Sequence, residues 1–220
     1  NNVNIVHARS RAPAWSAYFA CKRTGCKFIT TVHGNYSVGG FLFGWLKRFY
    51  NSSMVRGDAV IVVSKFIEDY CFKYYKNFRS KLRNGDSVII HRGVDVDTFN
   101  PDKVSQQRMI TIQKNLNIPE DKTIILLPGR ITKWKGQEYF LNVLHNIKYK
   151  NYLCIMLGDG DKHGRFKNFL ENKIEELGLL GRVRLEPNIS DISSLYMLSD
   201  VVISSSIRGE AFGRIAIEGQ

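Results

Sequence analysis

The sequence predicts an α/β protein made of two doubly wound, mostly parallel sheets, and three observations carry that reading. Short, β-branched apolar runs alternate along the whole chain with segments of helical periodicity, as in parallel strands joined by helical crossovers. Runs such as Thr123–Leu127 and Tyr152–Leu157 show no polar alternation, as expected of strands covered on both faces. A connector near residues 95–101 divides the chain, and residues 1–97 and 98–220 are expected to form separate domains.

In order, Val3–His7 reads as a strand, Ala12–Thr24 as a helix stopped by Gly25, and Lys27–Val32 as the next strand. His7 and His33 follow strands one and two, and ligands of open parallel sheets collect beyond such carboxyl ends. Both histidines are therefore candidate site residues. Phe41–Val55 reads as a helix with Leu42, Trp45, Leu46 and Phe49 on one stripe, bordered by Lys47, Arg48 and Arg56. That composition suits either an interfacial helix or one that covers its own sheet. Asp58–Val63 is a strand, and Ser64 is placed to cap a helix that runs to about Lys76. Val88–His91 is another strand, and Asp95 and Asp97 after it suit an Asx-turn better than a metal.

Val104–Asn117 is helical, and Thr123–Leu127 is a strand whose following loop carries Arg130 and Lys135. An arginine suits bidentate phosphate contact and a lysine a point charge, so the pair can neutralise a pyrophosphate leaving group. Lys133 and Trp134 are read as solvated. A helix from Gln137, the strand Tyr152–Leu157, a G-D-G turn, the helix Phe166–Leu177 and the strand Arg182–Leu185 follow. Ser190 is read as the cap of a short helix, Asp191–Leu198. Last come a strand, Asp200–Ile203, a glycine-containing turn and a helix from about Phe212. Such a helix start offers free backbone N–H groups to an anion. Glu210 and Glu218 flank it and suit the hydroxyls of a sugar and a ribose.

The chain has 220 residues, 44% hydrophobic and 24% charged, which is ordinary globular composition rather than disordered or fibrous. No apolar run approaches the ~20 residues of a spanning helix. The opening N-N-V-N-I-V-H-A reads as a strand rather than a secretory leader. Cys21, Cys26, Cys71 and Cys154 form no C-x-x-C pair, so no metal site is expected, and unpaired thiols suit a reducing cytoplasm. The net charge is +12, and residues 1–98 carry 15 Lys and Arg against 6 Asp and Glu. A basic half points to an anionic partner, a membrane surface among them, or serves solubility alone. Basic runs interleaved with aromatics are missing, so nucleic acid is not the expected partner.

Two motifs carry a resemblance to a known family. E-A-F-G-R-I-A-I-E, from Glu210 to Glu218, resembles the paired-glutamate motif of retaining GT-B glycosyltransferases of family 4. About eighty residues upstream, G-R-I-T-K-W-K-G (Gly129–Gly136) resembles their basic donor-phosphate loop. H-A-R-S-R-A-P, from His7, is similar to a loop of the bacterial lipopolysaccharide-type members, and G-V-D-V-D-T-F-N-P to their interdomain passage.

The resemblance implies two Rossmann-like domains facing across a cleft, both incomplete here. It makes the chain an internal piece that alone retains at most weak nucleotide binding and no transfer. Residues 1–97 would be the acceptor side and 98–220 the nucleotide-sugar side. The implied activity is transfer of a sugar, with retention, from a nucleoside-diphosphate-sugar to a cell-envelope glycan or glycolipid. It would need no metal or other cofactor and would proceed in the cytoplasm or on the inner face of the plasma membrane. His33 and Glu210 would be catalytic. Gly34, Arg130, Lys135, Ile189, Glu210, Ala211, Phe212, Gly213 and Glu218 would bind the donor, and His7 and Arg9 would lie on the acceptor side. A nucleotide-sugar epimerase or sugar phosphorylase shares the fold and is the alternative; a basic nucleic-acid-binding module is a weaker one.

Overall fold

The computed structural model describes residues 3–36, 39, 43–160 and 164–220. It divides into two compact units, one of Asn1–Gly93 with Gly209–Phe212 and one of Val94–Arg208 with Gly213–Gln220. Each holds a four-stranded parallel sheet.

In the first unit the strands are β1 (Ile5–Ala8), β2 (Lys27–Val32), β3 (Ala59–Val62) and β4 (Ser87–Ile89), adjacent in chain order. Register pairs Ile5 with Lys27, Ile29 with Ala59 and Val60 with Ser87. Helices α1 (Arg11–Thr24), α2 (Gly44–Asn51), α3 (Lys65–Tyr74) and α4 (Lys76–Asn84) connect them. Phe28, Val32, Val60, Val62, Ile67 and Phe78 form the centre of the core. Gly25 ends α1 at φ 76°, the left-handed cap that glycine adopts without a Cβ penalty. Ser64 caps α3 as its position predicts, accepting a hydrogen bond from the Ile67 amide.

The second unit contains β5 (Thr123–Pro128), β6 (Tyr152–Leu157), β7 (Val183–Glu186) and β8 (Val201–Val202), in the order β7-β6-β5-β8. Its helices are α5 (Gln106–Asn115), α6 (Gln137–Asn146), α7 (Arg165–Glu176), α8 (Ile192–Met197) and α9 (Arg214–Glu218). One core layer holds Phe140, Leu141, Leu144, Leu170 and Ile174; another, Leu126, Ile155, Leu157 and Leu195. Every residue of β6 is buried, which explains its unbroken apolar run. Both sheets repeat one device. Asp58 stands just before β3 and accepts from the Phe28 amide of β2; Asp200, before β8, accepts from the Ile124 amide of β5.

Several expectations need correction. Phe41 and Leu42 lie outside the described residues, and the described part of that helix is α2 followed by a 3-10 turn, Ser52–Val55. Trp45, Leu46 and Phe49 do not cover a sheet: they are 68%, 41% and 58% exposed. The helix after Ser64 breaks at Tyr75, where the backbone is extended, and α4 resumes as a separate helix. Asp191, not Ser190, caps α8, accepting from the Ser194 amide, because a carboxylate at that position also receives Arg108. Asp95 does form the Asx-turn, taking the Asp97 and Thr98 amides on one oxygen. No helix among the described residues is long and apolar enough to cross a membrane.

Candidate functional site

In the second unit, β8 lies beside β5 on the side away from β6, so the direction of winding reverses between these two strands. A reversal of this kind opens a crevice at the carboxyl ends of the strands it separates. The loop after β5 contains Arg130 and Lys135, and the loop after β8 leads into the paired glutamates. Ser205 donates its hydroxyl to the Lys135 carbonyl at 2.8 Å, and the Ile207 amide donates to the Trp134 carbonyl at 3.0 Å. Two segments about seventy residues apart in sequence thus share one edge.

Close backbone approach requires the glycines here. A Cβ on Gly136 would stand 2.0 Å from the Ser205 carbonyl oxygen, and one on Gly158 would stand 2.1 Å from that of Gly129. Below the loop, buried Gln137 donates its amide to the Arg130 carbonyl at 2.9 Å. The Arg130 side chain is exposed; Lys135 is half-buried, with its ammonium 4.7 Å from the centre of the Trp134 ring. Trp134 is therefore a half-buried platform under Lys135 rather than a solvated residue. The Lys135 stem and the Ile215 side chain of α9 both approach Gly129, which brings the basic loop beside the first turn of α9. Gly213, at φ 73°, precedes that turn.

Glu218 stands on the same helix. It accepts from the Tyr196 hydroxyl at 3.3 Å and pairs with Arg214 at 3.6 Å. Burial first, and the Glu218 charge second, push the Tyr196 phenol well above its ordinary value, so it stays a donor. At the end of β6, Asp159 accepts from the Asn188 side chain at 2.6 Å and fixes the stretch that holds Ile189. Ile189 is half-buried against the core. Among the described residues no group of His, Cys, Asp and Glu has the arrangement of a metal site.

The first unit has its own cleft, of about 340 Å³, over the carboxyl ends of all four strands. His7, Arg9, Thr31, His33, His91 and Arg92 supply its polar lining. His7 shares a 2.7 Å hydrogen bond with the Thr31 hydroxyl. Arg9 donates to Nε2 of His33 at 3.3 Å, which puts the proton of a neutral imidazole on Nδ1. Burial lowers the His33 pKa, and Arg9, Arg92 and His7 lower it further, so this ring is held neutral. Its Nδ1 is buried without a hydrogen-bond partner. Gly34 leaves open space where a side chain would project.

Of the residues singled out in sequence, His7, Arg9, His33 and Gly34 lie in the first unit, and Arg130, Lys135, Ile189, Gly213 and Glu218 in the second. Glu210, Ala211 and Phe212 cluster with the first unit. There the Ala211 carbonyl accepts from Ser64 at 2.5 Å, and Phe212 lies 5.8 Å from the His91 ring. Sequence reasoning missed Thr31, His91, Arg92, Asp159 and Tyr196. All but Tyr196 sit at or just beyond the carboxyl end of a strand, a signal that was readable for H-R-G after the V-I-I run.

Comparison with known proteins agrees with this plan. Residues 109–220 match the family model described as glycosyl transferases group 1, and residues 1–98 match that of glycosyltransferase family 4. Spore coat protein SA of Bacillus subtilis is 25% identical, with 99% of this chain and 57% of that protein covered. A glycosyltransferase structure from Rickettsia africae is 39% identical at a TM-score of 0.83, covering 99% of this chain and 55% of the other. Anabaena HepE, solved with UDP and glucose, superposes at a TM-score of 0.82 with 21% identity, covering 98% and 56%. The chain thus spans just over half the length of each of these three proteins. Two parallel-sheet units, each flanked by helices, are the plan of GT-B glycosyltransferases, and this chain belongs to the group 1 glycosyl transferases, of the family 4 type.

Proposed function

We propose that the protein transfers a sugar from a nucleoside-diphosphate-sugar to a cell-envelope glycan or glycolipid, with retention and without a metal. The observation that carries this reading is the joined edge at the winding reversal, where the basic loop of Arg130 and Lys135 is hydrogen-bonded to the segment leading into the paired glutamates. When the bond between the anomeric carbon and the diphosphate breaks, negative charge collects on the diphosphate oxygens. Arg130 supplies a planar donor pair and Lys135 a point charge to that group. Glu218, oriented by Tyr196, takes the ribose hydroxyls, and Ile189 lies near the base. Glu210 takes the donor-sugar hydroxyls, with Ala211, Phe212 and Gly213 as its neighbours in the motif. UDP and glucose in the Anabaena protein support the same class of donor.

On the acceptor side are His7, Arg9, His33 and Gly34. Neutral His33 presents an N–H rather than a charge to a substrate hydroxyl. Residues 1–97 make up this acceptor part and 98–220 the donor part. The exposed aromatic face of α1 and α2, with Arg48 and Arg56 beside it, supports peripheral contact with an anionic membrane surface. The chain together with the rest of its protein, given UDP-, GDP- and ADP-sugars, should release nucleotide only when an acceptor is present. Release without acceptor, or epimerised donor as the product, would overturn the transferase reading.

A further inference from the structure

The first-unit cleft has a charge pattern that sugar hydroxyls alone do not call for. Its lining includes two guanidinium groups, Arg9 and Arg92, and three imidazoles, and no carboxylate among the described residues. Arg9 donates its Nε–H to His33 at 3.3 Å, and neither Arg9 nor Arg92 makes an ion pair with a carboxylate among the described residues. Unpaired guanidiniums in a concave site raise the local potential and favour an anion. At the wall of the same cleft, the buried Nδ1 of His33 lacks an acceptor, a desolvation cost that a ligand oxygen would remove. His7 and His91 are anchored at one ring nitrogen each, by Thr31 and by the Val63 carbonyl, which leaves the other nitrogen to a ligand.

We propose that this cleft seats an oxyanion carried by the acceptor, a phosphate monoester on a sugar or lipid-linked sugar, held by Arg9 and Arg92 with His7, His33 and His91 around it. This rests on the transferase reading for the word acceptor, but the seat itself is defined by binding alone. A fork of two N–H groups on each arginine matches the geometry of a phosphate, whereas a neutral sugar offers nothing to compensate their charge.

The test is a titration of the chain with inorganic phosphate, glucose 6-phosphate, glucose and UDP, followed through the imidazole resonances of His7, His33 and His91. Phosphate and glucose 6-phosphate should shift all three, and glucose should not. Arg9→Gln and Arg92→Gln should each weaken glucose 6-phosphate roughly tenfold or more, with Arg9→Lys and Arg92→Lys losing less. Both arginines are exposed, so unchanged circular dichroism is expected. Binding of glucose as tight as that of glucose 6-phosphate, or phosphate binding indifferent to both arginines, would overturn the proposal. Displacement of glucose 6-phosphate by UDP through the same two arginines would assign the seat to the donor's diphosphate and overturn the acceptor assignment. Loss of acceptor-dependent nucleotide release with phosphate binding intact would remove the transferase reading and leave the seat standing.

Discussion

The Tyr196 hydroxyl donates to Oε2 of Glu218 at 3.3 Å across twenty-two residues of chain, while Arg214 holds the other carboxylate oxygen. The carboxylate assigned to ribose is thus oriented by two partners before any ligand arrives. Tyr196→Phe removes one of them and leaves the ring packed against Phe99. Free nucleotide and nucleotide-sugar should both weaken by a similar amount, on the order of 0.5–1.5 kcal/mol in calorimetry. Glu218→Gln should weaken both further, whereas Glu210→Gln should mainly lower turnover and discrimination between sugars. The reverse pattern would mean that the two glutamates have exchanged roles.

Arg130 and Lys135 are argued to meet the donor diphosphate. Replacing either by Ala should cost about 1.5–3 kcal/mol in binding of a nucleoside diphosphate, and much less in binding of the nucleoside. Lys135→Ala also uncovers the Trp134 ring, so its fluorescence should change even where Arg130→Ala leaves it alone. Equal losses for diphosphate and nucleoside would place these side chains away from the phosphates.

The joint between the two loops depends on Gly136. Its φ of 74° is a conformation L side chains disfavour, and a Cβ there would meet the Ser205 carbonyl at 2.0 Å. Gly25 has nearly the same φ, 76°, but open space around it. Gly25→Ala should therefore cost only the conformational part, about 1 kcal/mol, and Gly136→Ala at least about 2 kcal/mol because backbone must also move. Denaturant midpoints compare the two directly. Similar losses at both positions would show that the contact with Ser205 yields easily.

Much of this architecture could be read from sequence where burial and periodicity agree. Lys27–Val32 and Tyr152–Leu157 are legible to the residue: the second is core from end to end, and the first is buried from Phe28 onward except at half-buried Ile29. The break between α3 and α4 was hidden because Tyr75 leaves helical geometry with no glycine or proline to mark it. The basic loop was legible since Arg130 and Lys135 follow a buried strand directly. The cleft of the first unit was legible only in part. His7 and His33 stood out, but the neutral state of His33 depends first on its burial and then on Arg9, twenty-four residues away. Tyr196 gave no signal at all, since a tyrosine on a short helix reads as packing until its partner is seen.

Asp191 couples the second unit to pH. Its carboxylate takes Arg108 at 2.6 and 3.0 Å and the Ser194 amide and hydroxyl at 3.2 and 2.8 Å. Arg108 foremost, then the Ser194 bonds, hold its pKa well below the ordinary carboxylate range. A carboxylate lowered in the folded state contributes stability that is present above its unfolded pKa of about 4 and lost as pH falls below it. Asp191→Asn keeps a capping side chain but not the charge. The variant should be less stable than the parent at pH 7, and the difference should shrink on acidification. Solvent reaches this pair, so salt should narrow the gap too. A gap independent of pH would mean that Asp191 acts only as a cap.

The exposed aromatic face of the first unit yields the last prediction. Trp45 and Phe49 are 68% and 58% exposed on α2, and Phe49 stacks on Trp15 of α1 at 5.1 Å. Arg56 lies 5.0 to 6.0 Å from the rings of Trp15, Tyr18 and Phe49, so a cation sits among the aromatics. Aromatic side chains with arginine beside them suit the headgroup region of a bilayer, where ring and charge each find a favourable medium. The +9 balance of residues 1–98 adds attraction to anionic lipid that salt screens. In flotation assays the chain should bind phosphatidylglycerol vesicles more than phosphatidylcholine vesicles, and less at 0.5 M salt than at about 0.1 M. Trp45→Ser with Leu46→Ser should weaken binding to the anionic vesicles by roughly tenfold, since each exchanges apolar area for a hydroxyl. Arg56→Gln should reduce the preference for anionic lipid without abolishing contact. Equal partitioning to both vesicle types, unchanged by the serine pair, would rule out this face as the membrane contact.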